Sequence, residues 1–72
     1  MTMEREIRIR GEMIRLGQLL KLAGVIEAGG EAAAFLAAHS VLVNGEPEPR
    51  RGRQLRAGDE VAVGGEVLRI VA

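Results

Sequence analysis

The chain has 72 residues, with 10 basic and 10 acidic side chains, no cysteine and a single aromatic residue, Phe35. This size lies near the lower limit for one apolar core, so a single domain spanning residues 1–72 is expected. Without cysteine there are no disulfides or thiolate metal sites, and the lone His39 cannot hold a zinc ion by itself. No apolar run approaches the roughly 18–20 residues of a membrane span. The mixture of Arg and Glu over residues 1–15 is unlike a signal peptide, and a cytoplasmic monomer is expected.

Residues 5–10 alternate, with Ile7 and Ile9 on one side and Arg8 and Arg10 on the other, which predicts a half-buried strand ending before Gly11. Leu16, Leu19, Leu20 and Ala23 then fall at helical offsets, and Gly24 is placed to close a helix of about two turns. Gly29-Gly30 breaks the chain. A second helix is predicted from Glu31 to Ala38, its alanines allowing close approach to the first. His39 follows, placed to satisfy a carbonyl at the helix end. Val41 to Val43 leads into Asn44-Gly45, the pair favoured in a type I′ hairpin turn. Pro47 and Pro49 lack N–H groups and confine the return segment to a sheet edge or an irregular connection. Residues 50–57 read as a polar loop outside the core, anchored by Leu55, and Gly58-Asp59 as a turn. Val61 and Val63 alternate, Gly64-Gly65 reverses the chain, and Val67 to Val71 forms a last strand. Strand, helix, helix and several short strands make an α+β fold. The expected core includes Leu16, Leu19, Leu20, Phe35, Leu36, Val41, Val43, Val61 and Ile70.

The formal charge of zero is unevenly spread. Arg50, Arg51, Arg53 and Arg56 occupy one short segment that contains no acid, while the acids gather at Glu27 and Glu31, at Glu46 and Glu48, and at Asp59, Glu60 and Glu66. A neutral total disfavours indiscriminate binding of polyanions, but a local basic cluster permits a focused site. Guanidinium groups offer planar, bidentate donors to phosphate oxygens. The glycine pairs lack the spacing and the lysine of nucleotide-binding loops, and no acid–base or nucleophile constellation is visible, so no enzyme activity and no cofactor are expected.

Three blocks, taken in order, resemble a known family: the leucine-rich first helix ending at Ala23-Gly24, the Gly-Gly-Glu-Ala stretch before the second helix, and VLVNGE followed by RRGR and GDEV. From about Ile14 to Val63 the chain resembles the RNA-binding domain named after small-subunit ribosomal protein S-four, and most of all its stand-alone, YbcJ-like members. The resemblance implies a small alpha-L RNA-binding motif, a helix pair packed on a short-stranded, mostly antiparallel sheet. It also implies a non-catalytic protein docking on structured RNA, ribosomal or tRNA-like, through phosphate contacts. The residues that match the family's basic positions are Arg15 opening the first helix, Lys21 within it, and Arg50, Arg51 and Arg53 in the loop. Three positions depart from it: Ala33 stands where many relatives are basic, His39 where they have glycine, and Gly17 where many larger members have aspartate.

Two other functions compete with RNA binding. A protein-interaction domain of the same fold with little RNA affinity is compatible with Ala33 and the zero net charge. A sulfur-carrier or ubiquitin-like protein would share the VLVNGE and GDEV blocks. Such carriers, however, end in a free Gly-Gly, whereas this sequence has its Gly-Gly at 64–65 and ends in Ile70-Val71-Ala72.

Overall fold

A computed structural model describes residues 2–72. The elements run β1 (Met3–Arg8), β2 (Ile14–Arg15), α1 (Leu16–Leu22), a 3-10 turn (Gly29–Glu31), α2 (Ala32–Ala38), β3 (Val41–Val43), β4 (Glu46–Pro47), β5 (Gln54–Leu55), β6 (Glu60–Val63) and β7 (Glu66–Val71). They form two helices on a five-stranded sheet of order β1-β7-β6-β3-β4, plus a two-stranded ribbon of β2 with β5. The sheet is antiparallel except where β1 joins β7 in parallel, so the α+β architecture with a mostly antiparallel sheet is established.

Side chains alternate across the sheet. Val41, Val43, Val61, Val63, Leu68 and Ile70 are buried on the face that meets Leu16, Leu19, Leu20 and Leu36 from the helices. Pairing in register along the other face are Leu42, Ala62 and Val67, all half-buried. Without aromatic bulk the interior is filled by branched aliphatic side chains, and seven of the largest are almost wholly buried.

The hairpin turn has the expected form, with Asn44 and Gly45 at φ of +51° and +86°. Asn44 also fastens the turn to the next hairpin. Its amide donates to Asp59 Oδ1 at 3.0 Å, and its Oδ1 accepts the Glu60 N–H at 2.9 Å. Pro47 lies on β4, the outermost strand, where a missing N–H costs no ladder bond. Between the two prolines only Glu48 retains an N–H, which donates to the Val41 carbonyl at 2.9 Å.

Some expectations need correction. The first strand covers Met3–Arg8 rather than 5–10, because β7 supplies partners only from Glu66, opposite Met3, to Val71, opposite Arg8. Ile9 adds one last bond, to the Val71 carbonyl, and is buried just past the strand. Phe35 is half-buried rather than part of the sealed core. Among the described residues the His39 ring meets no carbonyl. The ring stacks on Phe35, one helical turn back, with centroids 4.3 Å apart and planes 25° from parallel. The loop after the second proline does not lie outside the core: Leu55 is fully buried and belongs to β5.

A candidate nucleic-acid interface

The first turn of a helix leaves N–H groups without intrahelical partners. In α1 these groups are met by the basic loop: the Leu16 and Gly17 N–H groups donate to the Arg53 and Arg51 carbonyls, both at 2.9 Å. Gln18 reaches back to accept the Arg15 N–H at 3.1 Å. The backbone of residues 51–53 is therefore fixed to the start of α1, and Arg15 completes the attachment by donating to the Gly52 carbonyl at 3.1 Å.

Gly17 makes this docking possible. A Cβ at this buried position would lie 3.2 Å from the Ala32 Cβ and 3.5 Å from the Arg51 Cβ. Here α1, α2 and the loop meet, and a bulky side chain would force them apart. Gly17→Val is expected to lower stability by about 1–3 kcal/mol through overpacking. A chemical-denaturation midpoint equal to that of the wild type would show that the loop moves aside freely.

The structure divides the five predicted contact residues into two groups. Arg15, Lys21 and Arg51 line one shallow groove of about 330 Å³, together with Gly17, Gln18 and Gly52. Arg50 and Arg53 line a different depression, beyond Gly52. Among the described residues neither Lys21 nor Arg51 has a carboxylate partner. Arg50 and Arg53 share one. Arg50 grips both oxygens of Glu48, at 3.0 and 3.1 Å, and Arg53 donates to Oε1 at 2.9 Å. The Glu48 side chain is 5% exposed, so it is covered largely while ionised. Hydrogen bonds from Arg50, then Arg53, then the Arg50 N–H pull its carboxyl down from 4.5 to about 2.

Sequence reasoning missed Glu48, because it sits outside the acid-free segment, two residues before Arg50. The available signal was its place between Pro47 and Pro49, two residues before Arg50, where the following proline favours an extended backbone.

The shift has a consequence for acid stability. Because the folded carboxyl titrates below its ordinary value, its stabilising contribution is complete above about pH 4.5 and is lost as pH falls towards 2. Thermal melts of the wild type should therefore drop across that window, and Glu48→Gln should melt lower at pH 7 with a flatter profile below 4.5. Parallel profiles for the two proteins would contradict this role.

The remaining charges explain the neutral total. Arg5 pairs with Glu66 at 2.9 Å, and Arg69 lies between Glu4 and Glu60 at 3.2 and 3.1 Å, so the sheet takes up acids in cross-strand pairs. No carboxylate lines the groove of Arg15, Lys21 and Arg51. That groove presents three cations side by side to an anionic surface, with Arg15 held by the Gly52 carbonyl. Among the described residues no three His, Asp or Glu side chains are grouped to hold a metal ion. Among the described residues no helix is long and apolar enough to cross a membrane.

The S4 domain family matches residues 7–71, all but the ends of the chain. The chain belongs to the S4 domain family. It is also 57% identical over 63 residues to a Bacillus subtilis protein described as a probable ribosome maturation protein, RlbA, covering 88% of this chain and 89% of that one. As an S4 domain the chain uses its basic loop in two ways. Arg50 and Arg53 hold the loop through Glu48, and Arg51 is left on the outer surface beside Arg15 and Lys21.

Proposed function

We propose that this S4 domain is a non-catalytic RNA-binding protein that docks on structured RNA by its phosphates, within ribosome maturation as the name of its Bacillus subtilis relative suggests. The observation that carries this reading is the groove in which Arg15, Lys21 and Arg51 converge with no carboxylate among its lining residues. The helix pair, the β2–β5 ribbon and the anchored loop then act as the alpha-L motif of a single RNA-binding domain over residues 1–72. In this reading the domain works as a cytoplasmic monomer and needs no cofactor. Arg50 and Arg53 contribute partly shielded charge, because each already donates to Glu48.

The salt dependence of binding tests this. Three phosphates neutralised by Arg15, Lys21 and Arg51 release their counterions and give a slope of log K against log salt of roughly −2 to −3. A slope near −4 would mean that Arg50 and Arg53 leave Glu48 to bind phosphate as well. A folded RNA hairpin should bind more tightly than an unstructured oligomer, since no aromatic platform is present to stack a run of splayed bases. Salt-independent or absent binding to folded RNA would favour the second reading, a protein-interaction domain of the same fold. That reading draws on the two loop arginines partly shielded by Glu48 and on the exposed alanine at position 33.

A further inference from the structure

A second groove, of about 710 Å³, opens on the other side of Lys21. Its apolar surface comes from half-buried Met13 and Ile14 and from Leu22, which is 57% exposed although it is a large aliphatic residue on a helix. Its charge comes from Arg8, Arg10 and Lys21, and no carboxylate lines it. Arg8 rests on the Ala72 main-chain oxygen at 3.1 Å, whereas Arg10 and Lys21 have no ion-pair partner among the described residues. Lys21 and Gln18 line this groove and the phosphate groove alike, so the two form one continuous surface.

We propose that this second groove takes an unpaired nucleotide projecting from the same structured RNA. This rests on the RNA-binding reading above and extends it. A duplex offers phosphates along its whole length, but it offers no apolar surface to Leu22, because its bases are stacked inside. A bulged nucleotide offers both. Its base lies against Met13, Ile14 and Leu22, the Arg10 guanidinium is available to stack on the base plane, and the flanking phosphates meet Lys21 and Arg8. Charge complementarity and continuity through Lys21 favour RNA here over an acidic protein segment, which has the same two chemical features but no reason to continue into the phosphate groove.

The test compares two hairpin RNAs that differ by one bulged nucleotide in the stem. Wild-type protein should bind the bulged hairpin about tenfold more tightly, the scale of covering one apolar side chain. Leu22→Ser should lose that preference while keeping its affinity for the uninterrupted hairpin, and the exposure of Leu22 lets this variant fold. Arg10→Glu should lose the preference as well. Equal affinity of the wild type for the two hairpins overturns the nucleotide groove and leaves the RNA-binding reading standing. Failure to bind either hairpin overturns both. If Leu22→Ser keeps the preference, the base does not sit in this groove. If the preference is absent and Leu22→Ser instead abolishes binding of an amphipathic peptide of alternating Glu and Leu, the groove takes an acidic protein segment.

Discussion

Replacing Leu20 by aspartate should leave no cooperative melt at 25 °C. Leu20 is fully buried, and it stands among Leu16, Leu19 and the inner face of the sheet. Loss of its packing alone costs about 2–5 kcal/mol, and an unpaired carboxyl in that site adds its desolvation. A core of this size rarely supplies more than about 3–5 kcal/mol in total. The position also matters to the backbone, because the Leu20 carbonyl accepts the N–H groups of Val25 and Ile26, at 2.9 and 3.3 Å, where α1 turns towards α2. Leu22→Asp, two residues along on the open side of the helix, is the matched control and should change stability by less than about 0.5 kcal/mol. Circular dichroism melts of the two variants decide the matter. If both remain folded, the buried face of α1 has been misassigned.

Arg51→Glu should cut affinity for folded RNA by roughly 10- to 100-fold, the worth of one charged hydrogen bond together with the repulsion that replaces it. The salt slope should shrink by about one. This substitution separates binding from folding because Arg51 holds the loop by its carbonyl, bonded to the Gly17 N–H, while its side chain has no ion pair among the described residues. The melting temperature should therefore stay within a degree or two of the wild type. Arg50→Glu makes the contrast. It sets a second carboxylate against buried Glu48, so it should lower the melting temperature as well as any affinity for RNA. Sequence reasoning placed the whole loop outside the core, whereas the Glu48 pair ties Arg50 to the fold and leaves Arg51 without an ion pair among the described residues. An Arg51→Glu protein that binds folded RNA as tightly as the wild type would remove the phosphate groove from consideration.

Local chemistry was enough to read most of the fold from the sequence. The helical spacing of Leu16, Leu19 and Leu20, the positive-φ preference of Asn44-Gly45 and the alternation of Val61 and Val63 are properties of neighbouring residues, and each appears in the structure as expected. The order of the blocks also pointed to the family, and with it to Arg15, Lys21, Arg50, Arg51 and Arg53 as candidates. What local pattern could not determine depends on groups far apart in the chain. The bounds of β1 are set by β7, more than 60 positions away, which fixes where pairing begins and ends. Gly17 looked like a departure from a family aspartate until α2 and the loop were seen to close on it. The division of the five cations was likewise a tertiary result. A run of arginines carries the same charge whichever way the side chains turn, and only the folded chain brings the Glu48 carboxylate to Arg50 and Arg53 while leaving Arg51 beside Arg15 and Lys21.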